Sequence, residues 1–287
     1  MVCGVVISYN PSAAILANIE LLHRQVGHVV VVDNTPSAHV ADVLKDLENL
    51  DGCTVIRNGK NLGIAAALNI GIRHAISLGF PWIITFDQDS RVGDGFVAAM
   101  LAAYRGAAKH AKVGILCPRY LDARAGVFLP TYRAANGDVF ACMTSGSMIH
   151  ADTFRSMGPM EERLFMDYVD YEYCLRMRLQ GFKVIESPEA ILQHSLGRIG
   201  YEKFLGRRMS TTNHSPQRRY YINRNRLVLI RRYLFRDTQW ASRELKSLIK
   251  DSAKVVLLEK QKTAKAGYML RALFDGLFNR LGQRVPL

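Results

Sequence analysis

Trp82-Ile83-Ile84-Thr85-Phe86-Asp87-Gln88-Asp89-Ser90 passes from an apolar run straight into two carboxylates one residue apart. Such an uninterrupted run of apolar and β-branched residues reads as a strand buried on both faces. The pattern recurs upstream. Val2–Ser8 closes at Tyr9-Asn10-Pro11, and Val29–Val32 closes at Asp33-Asn34-Thr35-Pro36. Turn residues of this kind mark strand ends. The intervening segments read as helices. Ser12 can cap one with Ile15, Ile19 and Leu22 on a single face, and 40–50 forms a second before a strand at Thr54–Arg57. Asn61 can cap a third, with Ile64, Leu68, Ile72 and Ile76 in register and Gly79 ending it. Continuous apolar strands alternating with helices predict an α/β fold with a mostly parallel central sheet covered by helices on both faces. Ligands of such sheets bind beyond the carboxyl ends of the strands, where Tyr9, Asp33, Asp87 and Asp89 fall. Periodicity alone does not put these residues on one side of the sheet; a doubly wound topology would.

Farther along, 112–117 is strand-like and a polar segment extends to about Asp138. Thr144-Ser145-Gly146-Ser147 interrupts the apolar stretch 139–149. Asp167-Tyr168-Val169-Asp170-Tyr171-Glu172 leads into a helix stopped by Gly181, and short strands follow at 183–185 and 190–193, the second ending in His194. From Ser215 the pattern is helical, which divides the chain into a catalytic domain at 1–214 and a helical region at 215–287. Near the end, Leu270, Leu273, Phe274, Leu277, Phe278 and Leu281 keep a 3/4 spacing, with Arg271, Arg280 and Arg284 off the stripe.

Composition narrows the functional classes. With 49% hydrophobic and 22% charged residues over 287 positions, extensive disorder and collagen-like architecture are excluded. Uncharged stretches such as Val139–His150 are too short to span a bilayer. Met1-Val2-Cys3-Gly4 leads directly into a strand without a leader pattern. Five scattered cysteines without a C-x-x-C suit a reducing compartment, so the expected location is cytoplasmic. The charge is lopsided: 198–287 holds 21 Lys/Arg against 6 Asp/Glu, a net of +15, whereas 1–197 holds 17 against 19, a net of −2. Such an excess suits nucleic acid, anionic lipid or a phosphorylated substrate.

Three common phosphate and ester chemistries are missing. No G-x-G-x-x-G follows a strand, and neither G-x-x-x-x-G-K-[ST] nor G-x-S-x-G occurs. The D-x-D remains. Two carboxylates just beyond a strand can hold a hard divalent ion against a diphosphate, which they would otherwise repel.

Taken in order, VVISYN, VVDNT, NLGIAAALNIGI, the strand ending in DQDS, TSGS, DYVDYEYCLR and QHSLG resemble the inverting glycosyltransferases of family 2. FDQDS, MDYVDYEYCLR and SPQRRYYINRNRLVLIRRY are most similar to the bacterial rhamnosyltransferases that use dTDP-L-rhamnose. The resemblance covers roughly residues 2–235. It implies the GT-A fold, a Rossmann-like α/β architecture, here followed by a basic helical extension.

The resemblance also implies roles. Tyr9 and Asp33 hold the base, with Asn10, Arg57, Asn61, Gly63, Asn69 and Gln88 along the nucleotide and sugar. Asp87 lies near the ribose or sugar, Asp89 with Asp87 holds Mg²⁺ or Mn²⁺, and His194 ligates the ion or touches the diphosphate. Asp170 takes the acceptor proton, Asp167 is the competing base, and Glu172 supports the site or binds acceptor hydroxyls. Val169 stands where many relatives have Glu, so one acidic neighbour is missing. Ser145, Gly146 and Ser147 face the acceptor and sugar, and Arg218, Arg219, Arg224 and Arg226 form the subgroup's basic block over diphosphate or lipid phosphate. The implied partners are dTDP-L-rhamnose, a saccharide acceptor on polyprenyl diphosphate, and the anionic inner face of a bacterial plasma membrane. A sister subunit is the other expected candidate for the basic helices, and nucleic acid is not an expected partner.

Rival readings remain. One is a family 2 enzyme with a UDP-hexose donor, since no single residue distinguishes rhamnose from glucose or galactose by its chemistry. A nucleotidyltransferase would want a Gly-rich basic loop where SYNPSAAI stands. A nucleic-acid-binding protein has the basic tail but no recognition signature. A relative that has lost catalysis is opposed by the D-x-D and Asp170.

Overall fold

The computed structural model describes residues 1–36, 43–122, 126–134, 136–193, 200–204 and 207–286, leaving aside the side chains of 200–204 and 207–210. Two compact units emerge. The first is Met1–Glu162 with Val169–Ser195, and the second is Arg163–Tyr168 with Leu196–Leu287. The second unit thus begins ahead of the expected boundary at 214/215 and also takes in a six-residue loop from the middle of the chain.

In the first unit the order is β1 (Val2–Ser8), α1 (Ala14–His23), β2 (His28–Asp33), α2 (Val43–Glu48), β3 (Cys53–Arg57), α3 (Ile64–Ser77), β4 (Trp82–Asp87), β5 (Arg91–Val92), α4 (Phe96–Ala107), β6 (Val113–Asp122), β7 (Val127–Phe128), β8 (Ser147–His150), α5 (Ala151–Met157), α6 (Val169–Leu179) and β9 (Lys183–Gln193). The strands form one sheet, ordered β3-β2-β1-β4-β8-β6-β9-β5, with β7 on β6. β3, β2, β1 and β4 are parallel, as their unbroken apolar runs predict. β8 enters antiparallel between β4 and β6, so the far half of the sheet is mixed. The two short strands expected at 183–193 are a single strand, whose register against β6 shifts at Pro118/Arg119.

Strand alternation explains the helices on both faces. Val2, Val6, Val29, Val31, Ile84 and Phe86 pack with Ile15, Ile19 and Leu22 of α1, Leu44 and Leu47 of α2, and Phe96 and Met100 of α4. On the opposite face α3 lies so close that a Cβ on Gly71 would sit 2.3 Å from Val5 Cγ1 and 3.0 Å from Val32 Cγ2. Gly71 carries no side chain because the sheet fills that space. The expected caps shift slightly: α1 begins after Ala13 rather than Ser12, and α3 after Gly63, whose φ of 87° suits glycine.

The second unit holds a hairpin, β10 (Gly200–Phe204) with β11 (Arg207–Thr211), and helices α7 (Pro216–Tyr233), α8 (Thr238–Leu258) and α9 (Lys262–Leu277). Ser215 caps α7 by accepting from the Arg218 amide at 3.2 Å, with Pro216 at the first helical position. A buried charge cluster ties these helices together. Glu259 accepts from Arg219 and from Lys265 Nζ at 2.9 Å, and Lys265 Nζ also donates to Asn213 Oδ1 at 2.7 Å. Burial, reinforced by Arg218, Arg219 and Lys265 against the opposing Glu259, pulls neighbouring His214 down to about 4. A histidine depressed on folding is neutral in the native state but binds a proton in the unfolded chain below about 6.5, so it costs stability as pH falls from about 6.5 to 4. Thermal midpoints across that window should fall less steeply for His214→Asn than for the wild type. Parallel curves would remove His214 as a contributor.

Candidate active site

Strand register brings the expected residues to one edge. Ser8 pairs with Asp33, Ile7 with Asp87 and Asp33 with Arg57, so the carboxyl ends of β1, β2, β3 and β4 line up and Tyr9 leaves the sheet beside them. Tyr9 is 40% exposed, leaving its ring free to stack. The Gln88 side chain fixes its backbone: Oε1 accepts from the Tyr9 amide at 2.9 Å and Nε2 donates to the Tyr9 carbonyl at 3.2 Å. Gln88, expected on the donor, holds the loop that carries Tyr9. The Asn10 amide donates to Thr35 Oγ1 at 2.8 Å.

Asp33 is interior, at 1% exposure. Its carboxylate accepts from Ser8 Oγ (2.7 Å), Thr35 Oγ1 (2.8 Å) and the Thr35 amide (3.2 Å). Asp33 thus organises the two loops that carry Tyr9, Asn10 and Thr35. Asn34, which sequence reading missed, joins this edge to the next loop: Nδ2 donates to the Gly63 carbonyl at 3.1 Å and Oδ1 accepts from Asn58 Nδ2 at 2.8 Å. Asn61 accepts from the Gly63 amide at 3.0 Å, a turn contact rather than the expected helix cap.

Two expected donor contacts are committed elsewhere. Arg57 pairs with Glu48 at 2.9 Å. Asn69 is fully buried; it donates to the Met160 carbonyl and Glu162 Oε1 and accepts from the Met160 amide, all at 2.9 Å. Asn69 anchors the 160–162 segment.

The D-x-D turn and the TSGS loop are bonded together. Ser90 and Ser145 share a hydroxyl–hydroxyl hydrogen bond of 2.5 Å, and Ser145 Oγ accepts from the Asp87 amide at 3.2 Å. Thr85 Oγ1 donates to the Thr144 carbonyl at 2.5 Å, and the Gly146 amide donates to the Thr85 carbonyl at 2.6 Å. Gly146 has φ 78°, and a Cβ there would meet Pro118 Cγ at 2.8 Å and Leu192 Cδ2 at 2.9 Å. Glycine is therefore the residue that fits between Pro118 and Leu192. Ser145 and Ser147 are buried, with Ser147 Oγ donating to the Met143 carbonyl at 2.5 Å, so both brace the loop.

Asp170 is half-buried in the first turn of α6 and accepts from the Tyr171 amide at 2.8 Å. Its charge adds to the upward push on Tyr120, which is raised first by burial, and on Cys174, which is raised first by its hydrogen bond to Cys142. Glu172 is expected to support the site or to bind acceptor hydroxyls. It is 3% exposed and pairs with Arg176 at 3.0 Å, while Arg176 also donates to the Met157 and Pro159 carbonyls. Glu172 holds α6 to the preceding loop.

Within the second unit, Asp167 is engaged by Arg218, with Nε and Nη2 at 3.1–3.4 Å from its oxygens. Phe165, Asp167 and Tyr168 all have left-handed φ (68°, 55° and 65°), a conformation that L residues adopt only when it is held in place. Asn225 supplies part of the hold: its Nδ2 donates to the Leu164, Met166 and Asp167 carbonyls at 2.7–2.9 Å. Arg224, expected on the diphosphate, is instead fully buried and donates to Leu164, Gly282 and Asn225. Arg219 is bound to Glu259, and Arg226 pairs with Glu244 and Asp251 at 3.1 and 3.0 Å. The basic block is largely internal scaffold because α7 packs against both α8 and α9 and turns these cations onto carboxylates and carbonyls. His194 lies outside the described residues. The residue before it, Gln193, pairs with Arg91, two positions beyond Asp89.

Comparison with known proteins places this arrangement. The profile described as "Glycosyl transferase family 2" matches residues 3–121. The "dTDP-rhamnosyl transferase RfbF" of Shigella flexneri is 34% identical over 245 residues, covering 80% of this chain and 79% of that one. The chain belongs to glycosyl transferase family 2. The fold agrees: S. aureus TarS superposes with a TM-score of 0.64 at 14% identity, over 96% of this chain and 48% of TarS. GalNAc-T7, whose structure contains UDP, GalNAc and Mn²⁺, superposes with a TM-score of 0.62 at 11% identity, over 98% of this chain and 57% of its own length. Both likenesses concern the GT-A fold alone, and this chain spans about half of each.

In this glycosyltransferase the D-x-D fits a hard divalent cation. Asp89 is exposed and makes no hydrogen bond or ion pair among the described residues, and Asp87 is half-buried at the strand end. Two carboxylates provide oxygen donors but not a full coordination shell, which leaves positions for phosphate oxygens and water. No group of three or more His, Cys, Asp or Glu is assembled as a cage among the described residues.

Proposed function

We propose that this glycosyltransferase transfers L-rhamnose from dTDP-L-rhamnose to a saccharide hydroxyl with inversion at the anomeric carbon. The observation that carries the donor is the 34% identity, across four fifths of the chain, to a protein named dTDP-rhamnosyl transferase. The base stacks on Tyr9, whose loop Asp33 and Gln88 hold. Asp89 and Asp87 would hold Mg²⁺ or Mn²⁺, which would supply Lewis-acid stabilisation of the diphosphate. Asp170 removes the acceptor proton as that oxygen attacks from the face opposite the diphosphate, and the rigid TSGS loop lets the acceptor approach closely. The choice of Asp170 over Asp167 is supported by the Arg218 guanidinium, which occupies both oxygens of Asp167. His194 is kept as a candidate third metal contact.

The acceptor in this reading is a saccharide on a polyprenyl diphosphate, used in cell-surface polysaccharide assembly at the inner face of the plasma membrane. No helix of the described residues is long and apolar enough to cross a membrane. The donor is tested by following nucleoside diphosphate release from dTDP-L-rhamnose, UDP-glucose and UDP-galactose, with a lipid extract as the acceptor source. Release from dTDP-L-rhamnose should exceed the others by about tenfold or more, the discrimination a hydrogen-bonded site readily supplies. Preferred release of UDP would keep the transferase and discard rhamnose.

A further inference from the structure

Helix α9 is built inside out. Its buried residues are Lys265, Ala272, Asp275 and Gly276, whereas Leu270, Leu273, Phe274 and Leu277 are 40–68% exposed, as is Phe278 just beyond. The 3/4 spacing puts these five large apolar side chains on one face. Local chemistry explains the inversion. Asp275 accepts from the Tyr220 hydroxyl at 2.7 Å, Lys265 reaches Glu259 and Asn213, and Gly276 would place a Cβ 3.1 Å from the Arg224 carbonyl. α7 therefore takes the polar and small side of α9 and leaves the apolar side outward. Leu245, Ile249 and Val256 form a second exposed apolar row on α8. A contiguous apolar face of this kind marks an interaction surface.

Its charge identifies the partner. Residues 238–287 hold ten Lys/Arg and four Asp/Glu. Of the four acids, Glu244, Glu259 and Asp275 are buried, and Asp251 is paired with Arg226. Of the ten cations, Lys265 alone is buried. The outward charge is thus almost entirely positive. Arg280 lies over the Phe274 and Phe278 rings, at 4.9 and 6.0 Å, within the apolar face itself. Two copies of such a face would repel each other, while an anionic headgroup layer would neutralise the cations and accept the apolar side chains.

We infer that the outward face of α9, centred on Leu270, Phe274, Leu277 and Phe278, docks on an anionic lipid bilayer surface. The inference deepens the lipid-linked acceptor of the proposed reaction and depends on that reading only for its purpose.

The test is co-sedimentation of the full chain with phosphatidylcholine vesicles, with and without phosphatidylglycerol. The wild type and a Phe274→Ser/Phe278→Ser double variant are compared. Val127→Ser, at a 54% exposed residue of the first unit, is the control. Circular dichroism and the thermal midpoint verify folding; both positions are exposed, so the double variant should match the wild type. The expected result is binding that requires phosphatidylglycerol, weakens with salt, falls roughly tenfold in the double variant and is unchanged in the control. Vesicle binding equal to the wild type in the double variant would overturn the inference. So would no binding to phosphatidylglycerol vesicles, including the case of a solution dimer that the double variant dissociates. Calorimetry with dTDP on the same preparation separates the two readings. Vesicle binding without dTDP binding sinks the donor and leaves this surface standing; the reverse sinks the surface alone.

Discussion

Asp170→Asn is expected to lower turnover of dTDP-L-rhamnose by about 10²- to 10⁴-fold, the span general-base catalysis supplies, while dTDP binding stays within about twofold of wild type. The amide keeps the size and shape of the carboxylate and can still accept from the Tyr171 amide, so the first turn of α6 should be preserved. It cannot take a proton from an attacking hydroxyl. The matching substitution Asp167→Asn breaks the pairing with Arg218 in a loop held at left-handed φ. Its expected consequence is a lower thermal midpoint and only a modest loss of turnover. If Asp170→Asn turned over at the wild-type rate and Asp167→Asn did not, the roles assigned to the two residues would be reversed.

Asp89→Ala is the second large effect. Removing the exposed carboxylate of the D-x-D should abolish the Mg²⁺- or Mn²⁺-dependent part of dTDP binding, an expected loss of about 3 kcal/mol or roughly a hundredfold. Binding without metal should be nearly unchanged or slightly improved, because a negative charge facing the diphosphate has gone. Stability should be unaffected, since Asp89 makes no hydrogen bond or ion pair among the described residues. Calorimetric titrations of dTDP with and without each ion read all three. Persistent metal dependence in Asp89→Ala would remove the residue as a ligand.

The parallel half of the sheet was legible because β1, β2 and β4 are buried along most of their length and carry apolar, β-branched runs with few polar interruptions; the edge that gathers Ser8, Asp33 and Asp87 followed from it. The insertion of β8 between β4 and β6 was not, since Ser147–His150 is four residues long and sits at the end of a longer apolar stretch. Site residues were legible by type and less so by role. Asp33, Asn69, Glu172 and Arg224 were singled out by the family resemblance; only the fold shows the internal hydrogen bonds that each of them makes. Asn34 and Thr35 left a signal, a pair of turn-forming side chains directly after a strand. Asn225 left a fainter one: asparagine in the interior of an 18-residue helix is unfavourable unless its amide serves something nearby. The apolar stripe of α9 was visible in its spacing, but whether it faces inward depends on what Lys265 and Asp275 meet.

Calorimetric titration of the wild-type protein with dTDP and with UDP, each with and without Mg²⁺ or Mn²⁺, decides between donors. Metal-dependent binding is expected, with dTDP favoured over UDP. Failure to bind either nucleotide in the presence of metal would contradict a nucleotide-sugar donor at this site.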